Sequence, residues 1–268
     1  MTNTFKGTAF VTGASSGLGA IYADRLARRG YDLVLIARDK ARMDTLAAKL
    51  HHDTGSRVVV LPADLTDAAQ IAHVAQTIAA APDITLLVNN AGISLSGSLE
   101  ATAADQVSQL VMLNVMAPTL LAKAALQAFR PKGAGAIITL SSVLALAPEM
   151  FESTYSATKA FVLNLSQGLT HDTKDTDIHV QAVLPGATRT EIWERSGKDV
   201  NSLPAEWVMD ADVLVDAALL GFDRGETITI PPLHDLAGWD AMQAARLGLG
   251  GQLSRREVAP RYREHAEI

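Results

Sequence analysis

A tyrosine and a lysine four residues apart are the side chains in this sequence best suited to chemistry. Tyr155 and Lys159 fall in a stretch that predicts a helix, so both side chains share one face. A tyrosine with a pKa of about 10 is a poor proton shuttle at neutral pH, and a nearby cation favours its ionised form. The pair therefore predicts a tyrosine tuned for proton transfer. An incidental surface pair is the alternative, since this spacing is common on helices.

Two further polar residues occur at positions that could complete such a site. Ser142 follows a predicted strand, thirteen residues before Tyr155, at the edge of a parallel sheet where ligands bind. Ser141 is the alternative serine, and the spacing favours Ser142. Asn114 falls in the middle of an apolar helical stretch, where an amide is unfavourable unless it is bonded or functional. A core amide bonded to backbone is the alternative interpretation of Asn114.

A glycine-rich turn directly follows the first predicted strand. Residues 12–19 read Thr-Gly-Ala-Ser-Ser-Gly-Leu-Gly, and a helical stretch begins at once. Glycines let backbone N–H groups approach a pyrophosphate, and the helix directs its positive end toward that anion. A glycine-rich turn by itself could simply connect two elements, which is the alternative. Its place between a strand and a helix supports a dinucleotide site. The predicted cofactor contacts in this loop are Gly13, Ser15, Ser16, Gly17, Leu18 and Gly19.

Short apolar runs alternate with helical stretches along the chain. This alternation predicts an α/β fold, a Rossmann-type doubly wound parallel sheet of about seven strands with helices on both faces. The predicted strands are 8–12, 32–37, 57–62, 84–89, 136–141, 179–184 and 227–230. The predicted helices are 17–29, 39–51, 68–80, 105–129, 154–171 and 210–222. No linker interrupts the pattern, so we expect one domain over 1–268, with a substrate-loop region at about 187–208 and a tail at about 232–268.

Composition disfavours several classes of function. The 268 residues include no cysteine, and the net charge is -6. Disulfides and thiolate metal sites are therefore excluded, and without a basic stripe nucleic-acid binding is disfavoured. The seven histidines are scattered, so no metal site is predicted. No secretory signal or membrane span is expected, which fits a cytoplasmic protein with no membrane partner.

Taken in order, these motifs resemble the short-chain dehydrogenase/reductase family. The glycine loop looks like the family's TGxxxGxG loop, and Tyr155 with Lys159 looks like its YxxxK motif. The run 89–92 (Asn-Asn-Ala-Gly), Ser142 and the run 185–190 extend the resemblance, which covers residues 5 to about 231. It implies an enzyme that interconverts a carbonyl and a secondary alcohol by hydride transfer with a nicotinamide cofactor.

The resemblance also implies a role for each candidate. Tyr155 passes a proton to or from the carbonyl oxygen, and Ser142 hydrogen-bonds that oxygen. Lys159 lowers the tyrosine pKa and holds the nicotinamide ribose, while Asn114 holds a water in a proton relay to Lys159. The remaining implied cofactor contacts are Asp64, Leu65, Asn90, Ala91, Gly92, Tyr155, Lys159, Pro185, Gly186, Thr188 and Thr190. The alternatives are an Asx-turn for Asp64, and a loop turn or a helix N-cap for Gly186 and Thr190.

The end of the second predicted strand indicates which cofactor binds. Ala37 stands where the family's NAD-preferring members carry an acid, and Arg38 follows it. A guanidinium can hold a 2′-phosphate bidentately and stack on adenine. NADP(H) is therefore the predicted cofactor, and NAD(H) is the alternative. Arg38 could instead be a solvated residue, and Asp39 could accept a ribose hydroxyl. Some NADP-preferring relatives also carry a basic residue in the glycine loop, where this sequence has Ser15 and Ser16.

The segments expected to border the substrate are apolar and carry few charges. They predict an apolar or aromatic carbonyl substrate rather than a phosphorylated sugar. The predicted substrate contacts are Leu144, Met150, Phe151 and Trp193, with Leu95, Leu146 and Trp207 in the same segments. Packing under the loops is the alternative, most of all for the two tryptophans.

Two apolar helical stretches predict that the chain assembles with copies of itself. The helical stretches 105–129 and 154–171 are more apolar than one sheet face requires, and the family often pairs them across a two-fold axis. We therefore expect a homodimer or homotetramer, with core helices of a monomer as the alternative.

The tail beyond residue 230 carries apolar residues at near-helical spacing, namely Leu236, Trp239 and Met242. This spacing predicts either a lid over the substrate or a buttress of the subunit interface.

Other functions remain as alternatives. A catalytically silent, cofactor-binding regulator could keep this fold, although the intact Ser142, Tyr155 and Lys159 oppose it. Sugar-nucleotide epimerases of the longer-chain branch usually have a different glycine spacing and a larger substrate domain. Divergent enoyl reductases space the tyrosine and lysine more widely.

Overall fold

Parallel pairing joins seven strands into one sheet. In the computed structural model, which describes residues 6–150 and 153–263, the strand order is β3-β2-β1-β4-β5-β6-β9. These strands are β1 (Thr8–Thr12), β2 (Asp32–Ala37), β3 (Val58–Pro62), β4 (Ile84–Asn89), β5 (Ala134–Leu140), β6 (Asp177–Val183) and β9 (Ile228–Thr229). The two remaining strands, β7 (Thr188–Arg189) and β8 (Met209–Asp210), pair with each other. The predicted doubly wound parallel sheet is confirmed.

Helices cover both faces of the sheet. The helices formed by the described residues are α1 (Gly17–Arg28), α2 (Lys40–Thr54), α3 (Ala68–Ala80), α4 (Ala104–Val111), α5 (Ala117–Phe129), α6 (Ser153–Asp172), α7 (Ile192–Arg195), α8 (Ala211–Asp223) and, in the C-terminal part of the chain, α9 (Ala237–Gly248). Apolar side chains of α1, α2 and α8 pack in one core layer, and those of α3 and α5 pack in the other. The buried strands lie between the layers, which explains why most of them read as continuous apolar runs.

The order of the strands places a crevice beside β1. Chain progression runs from β1 outward through β2 and β3, then returns to β4 on the other side of β1. At such a switch point the connections leave toward opposite faces, and ligands bind beyond the carboxyl ends of the strands. The glycine loop occupies this position, because it follows β1 directly.

One predicted helix is wrong in a way that matters for the site. The stretch 105–129 was expected to be continuous, but α4 and α5 are separated by a π-helical turn over Met112–Met116. Asn114 lies at the centre of this turn and bonds the backbone of Ile93 outside the helix. π-Turns commonly occur at functional positions in helices. Periodicity cannot reveal such a turn, because it adds a single residue to an otherwise regular helix.

The β7–β8 pair was not predicted. Thr188 and Arg189 pair with Met209 and Asp210, and two-residue strands carry no periodic signal. The pair closes the base of an irregular segment, residues 188–210, that contains α7 and two short 3₁₀ turns. We call it the 188–210 excursion. A substrate-loop region was expected at about 187–208, and that role of the segment stays a prediction.

The chain divides into two units after Pro232. The second unit, which begins at Leu233, contains α9, and the near-helical spacing of Trp239 and Met242 corresponds to this helix. Leu236 occupies the N-cap position.

Within the described part of the chain, one helical run has the length and apolar composition of a membrane span, Ala104–Lys132. A core helix of a globular protein passes the same test. Ala117, Leu121 and Ala125 of this run are buried in a core layer, so packing against the sheet accounts for its composition.

Candidate active site

Tyr155 and Lys159 lie near each other in the first turns of α6. The Nζ of Lys159 is 5.6 Å from the centroid of the Tyr155 ring, and it donates a hydrogen bond of 2.9 Å to the carbonyl of Leu140 at the end of β5. The lysine is buried, and that burial lowers its pKa to about 8. A buried cation beside the ring argues against the alternative, in which the two side chains form an incidental pair on the surface.

Asn114 is fixed by three hydrogen bonds. Its Oδ1 accepts from the N–H of Ile93 at 3.0 Å, and its Nδ2 donates to the carbonyl of Ile93 at 2.9 Å. Nδ2 also donates to the hydroxyl of Thr158 at 3.1 Å, which in turn donates to the carbonyl of Tyr155 at 2.7 Å. Sequence reasoning missed Thr158, although it lies directly before Lys159.

The side chains of Asn114 and Lys159 border the same small space. A Cβ built on Gly92 would lie 3.2 Å from Asn114 Oδ1 and 3.5 Å from Lys159 Nζ. Asn114 is therefore a backbone-bonded core amide, as the alternative held, and it also adjoins the predicted site. A second lone pair on Oδ1 leaves it able to accept a further bond.

The two serines at the end of β5 have different surroundings. The hydroxyl of Ser141 donates to the backbone carbonyl of Lys159 at 2.7 Å, in the packing between β5 and α6. The hydroxyl of Ser142 accepts from the N–H of Leu144 at 3.1 Å. A hydroxyl that accepts a hydrogen bond can still donate its own proton to another acceptor. The hydroxyl of Ser142 is therefore still able to donate, whereas the hydroxyl of Ser141 already donates to Lys159. The geometry favours Ser142, as the spacing did.

The glycine loop has the shape of a phosphate cradle. Gly13 has a φ of +68°, and a Cβ there would lie 2.7 Å from Asn90 Nδ2. A Cβ on Gly19 would collide with the carbonyl oxygen of Gly13. Only glycine fits these positions, and α1 begins at Gly17 with its N-terminus toward the loop. The cradle fits a dinucleotide pyrophosphate. Ser15, Ser16 and Leu18 belong to the same turn and first helical residues.

A threonine and an asparagine brace this cradle from β1 and β4. The hydroxyl of Thr12 accepts from the N–H groups of Asn90 and Ala91 at 2.9 and 3.0 Å and donates to Val88. The Nδ2 of Asn90 donates to the carbonyl of Thr12 at 2.8 Å. The side chain of Asn90 therefore shapes the loop. Thr12 was not predicted as part of the candidate site, although it opens the glycine motif.

The ends of β2 and β3 carry the predicted adenosine contacts. Arg38 is exposed, and Asp39 caps α2 by accepting from the N–H of Arg42 at 3.0 Å. The Oδ1 of Asp64 accepts from the N–H and hydroxyl of Thr66, the Asx-turn that was its alternative. Burial alone would raise the pKa of Asp64, but Thr66 and the charge of Arg38 lower it below its ordinary value. Leu65 is buried.

The run after β6 folds back toward the glycine loop. The hydroxyl of Thr188 donates to the carbonyl of Gly186 at 3.0 Å, and Trp193 Nε1 donates to the carbonyl of Thr188 at 2.8 Å. A Cβ on Gly17 would lie 3.6 Å from the side chain of Thr190. The helix N-cap at α7 is Glu191, not Thr190. Pro185 is partly buried and its carbonyl accepts from the N–H of Val143.

The predicted substrate contacts differ in exposure. Leu144 and Trp193 are partly buried, while Met150 is 64% exposed. Phe151 lies outside the described residues. Trp207 is 60% exposed, so it does not pack under the loops. The 188–210 excursion also adds a residue that was not predicted, because Lys198 Nζ donates to the carbonyl of Leu95 at 3.1 Å.

Among residues 6–150 and 153–263, no three or more histidines, aspartates or glutamates come together as a candidate metal site. The expectation that the chemistry needs no metal stays a prediction.

Known proteins are similar to this chain in sequence and in fold. A family profile described as short chain dehydrogenase matches residues 7–201. A short-chain dehydrogenase from Sphingobium yanoikuyae, solved in complex with NADPH, is 52% identical, with a TM-score of 0.92 over 96% of this chain and 100% of that chain. A bulky-bulky ketone specific alcohol dehydrogenase from Comamonas testosteroni is 47% identical, with a TM-score of 0.89 over 97% of this chain and 99% of that chain.

Curated relatives match over a shorter span. The human 17-beta-hydroxysteroid dehydrogenase type 3 is 32% identical over 184 residues, which is 68% of this chain. The matched part makes up 59% of the human protein, so the chain covers about three-fifths of that relative's length.

Proposed function

Because the chain belongs to the short-chain dehydrogenase family, we propose that it is an NADP(H)-dependent oxidoreductase that interconverts a ketone and a secondary alcohol, with Tyr155 as the general acid and base. One observation carries the proposal. The buried ammonium of Lys159 lies beside the Tyr155 ring and beside the space bordered by Asn114, at the strand edge where the glycine loop forms its cradle.

Each side chain has a task that its surroundings support. In reduction the Tyr155 hydroxyl donates its proton to the carbonyl oxygen, and Ser142 donates a hydrogen bond to the same oxygen. The charge of Lys159 stabilises the tyrosinate that remains. Asn114 Oδ1, which Ile93 holds in place, accepts a hydrogen bond from a water. That water returns a proton to Tyr155 by way of Lys159. In oxidation the same groups work in reverse.

The glycine cradle, Arg38 and the run after β6 would hold the cofactor. When bound, NADP(H) supplies or accepts the hydride. We assign the 2′-phosphate to Arg38, and its exposure directly after β2, next to Ala37 where an acid would favour NAD, supports this role. The NADPH complex of the Sphingobium yanoikuyae relative supports this choice. NAD(H) remains a second, weaker cofactor.

We infer an apolar or aromatic ketone as the substrate. Leu144 and Met150 follow β5 and supply apolar surface away from the adenosine contacts at the ends of β2 and β3, and the partly buried Trp193 adds a large apolar ring. The Comamonas testosteroni relative is described as specific for bulky-bulky ketones, which supports a substrate with two large substituents. A cytoplasmic location, with neither nucleic acid nor membrane as a partner, goes with this small-molecule chemistry. The silent regulator is not favoured, since these relatives are named as dehydrogenases.

The test is turnover of purified protein with NADPH and with NADH over a panel of alkyl aryl ketones, diaryl ketones and phosphorylated ketoses. We expect NADPH-dependent reduction of the bulky apolar ketones. Tyr155→Phe should lower kcat by orders of magnitude while cofactor affinity is kept, because it removes only the transferable proton. A folded Tyr155→Phe variant with wild-type kcat would contradict the assignment of the proton donor.

A further inference from the structure

An ion pair joins two distant parts of the chain beside the glycine loop. The Nη1 of Arg42, in the first turn of α2, lies 3.1 and 2.9 Å from the two carboxylate oxygens of Glu191. Glu191 directly follows Thr190 in the 188–210 excursion, and 149 residues separate the two partners. The proposed reaction uses neither side chain. Their exposed fractions are 49% and 38%, so solvent reaches the pair and the charges are not trapped in a core.

The pair holds the excursion at the point where it passes the phosphate cradle. A Cβ on Gly17 would lie 3.6 Å from Cβ and Cγ2 of Thr190, so the side chain of Thr190 lies beside the first residue of α1, where the cradle ends. Glu191 is the next residue, so a tether on its carboxylate restrains Thr190 directly. The tether starts from α2, which follows the strand end that carries Arg38.

The same excursion is held on the other side of β1. The hydroxyl of Ser96 donates to the carbonyl of Ser196, and Lys198 Nζ donates to the carbonyl of Leu95 at 3.1 Å. These residues of the β4–α4 connection lie beyond the end of β4, whereas Arg42 lies beyond the end of β2. Because β1 is between β2 and β4, the excursion spans the end of β1 and the cradle that follows it.

We propose that Arg42 and Glu191 are positioning residues for the cofactor, whose ion pair holds Thr190 over the pyrophosphate cradle and slows the release of a bound dinucleotide. The proposal rests on the proposed function in one respect, that the cradle binds a nicotinamide dinucleotide. The pyrophosphate is common to NADPH and NADH. The pair therefore retains both cofactors alike, whereas Arg38 distinguishes between them.

A direct contact of Arg42 with the 2′-phosphate is the competing role for this arginine. It makes opposite predictions. A phosphate ligand would matter for NADPH and not for NADH, and neutralising Glu191 would leave it intact or free it for the phosphate. A tether fails equally when either partner is neutralised, for either cofactor.

The experiment measures dissociation of NADPH and NADH by stopped-flow displacement, followed by the fluorescence of the bound nicotinamide. The variants are Arg42→Gln, Glu191→Gln, the double variant and the exchanged pair Arg42→Glu with Glu191→Arg. Each single variant should accelerate the release of both cofactors by about two- to fivefold, the range that a half-exposed ion pair supports. The double variant should add nothing further, and the exchanged pair should restore slow release. Higher ionic strength should shrink the difference from wild type.

Arg29→Gln is the matched control, because Arg29, at the C-cap of α1 and so at the helix end opposite the cradle, pairs with Asp223 of α8 at 2.9 Å. It should leave both release rates unchanged. The proposal is overturned if the single variants release both cofactors at the wild-type rate, or if Arg42→Gln affects NADPH alone while Glu191→Gln has no effect. A protein that binds cofactor and shows these rates but reduces no ketone would refute the proposed reaction and leave this inference standing. A protein that binds neither cofactor would overturn both.

Discussion

At the scale of single residues, burial decides the chemistry of Lys159. Its ammonium has the carbonyl of Leu140 at 2.9 Å and the ring of Tyr155 beside it, and little of the side chain is exposed to solvent. Loss of hydration favours the neutral amine and lowers the pKa to about 8. The lysine therefore stays mostly charged at neutral pH, yet lies close enough to its pKa to exchange a proton.

This shift predicts how stability changes with pH. Below pH 8 both the folded and unfolded chains hold the Lys159 proton, and the folded state bears the full cost of burying the charge. Between pH 8 and about 10.4 the folded protein releases the proton while the unfolded chain keeps it, so stability rises with pH by up to about 3 kcal/mol. Urea unfolding of the cofactor-free protein across this range, compared with Lys159→Met, isolates the contribution. Parallel curves for the two proteins would mean that the pKa of Lys159 is ordinary.

Arg38 provides a second prediction at this scale. Arg38→Ala should weaken NADPH binding by about 1.5–3 kcal/mol, the contribution of a hydrogen bond to a charged group. NADH binding should hardly change, since NADH has no 2′-phosphate. Equilibrium titration of both cofactors by calorimetry gives the two losses. Equal losses would show that Arg38 does not distinguish the cofactors and that its guanidinium stacks on the shared adenine or acts elsewhere.

At the scale of elements, the site depends on how strand ends are joined. The glycine cradle keeps its shape because Thr12 and Asn90 bond the ends of β1 and β4 to each other. The π-turn between α4 and α5 similarly carries Asn114 to the backbone of Ile93, beyond the end of β4. Site residues on different elements are thus held by hydrogen bonds between side chains and backbone, which are short and directional. This explains how the loops at the strand ends can hold a precise arrangement.

The cradle itself can be tested with a methyl group. In a helix, Gly→Ala is ordinarily stabilising by about 1 kcal/mol. In Gly19→Ala, however, the Cβ would collide with the Gly13 carbonyl, so we expect a loss of about 1–3 kcal/mol in stability and much weaker NADPH binding. Gly168→Ala in α6 is the control, because its Cβ meets nothing within 4 Å, and it should stabilise the protein. Urea midpoints and NADPH titrations provide the comparison, and equal behaviour of the two variants would contradict a close-packed cradle.

At the scale of the whole molecule, exposed apolar surface bears on assembly. Phe161 on α6 is 43% exposed, and Leu165 and Leu169 follow it at helical spacing in a groove between α5 and α6. Met116, directly before α5, is 41% exposed. Apolar side chains at such spacing form a stripe that a second copy can cover.

Light scattering should therefore give the mass of a dimer or tetramer at micromolar concentration. Phe161→Glu places a charge in the stripe and should shift the protein toward monomer. Val213→Glu, on α8 and 54% exposed, is the control and should leave the assembly unchanged. A monomeric wild-type protein would mean that these helices serve only the core of one chain.

Local spacing by itself determined much of this protein. The alternation of apolar runs and helical stretches predicts the sheet and its helices, because each element is built from consecutive residues. For the same reason the glycine loop after β1 and the Tyr155–Lys159 pair are visible in the sequence. The bounds of β1, β2, β4 and α3 were predicted to the residue.

Only the tertiary structure decided the features that depend on distant residues. Ser141 bonds the backbone of α6 while Ser142 keeps its proton, a difference that two adjacent serines do not reveal in sequence. The partners of Asn114 lie 21 and 44 residues away, and Glu191 lies 149 residues from Arg42. Such contacts arise when parallel strands bring the loops at their carboxyl ends to one edge. The sequence between two such partners carries no periodic pattern that reveals their contact. Only folding brings these side chains together.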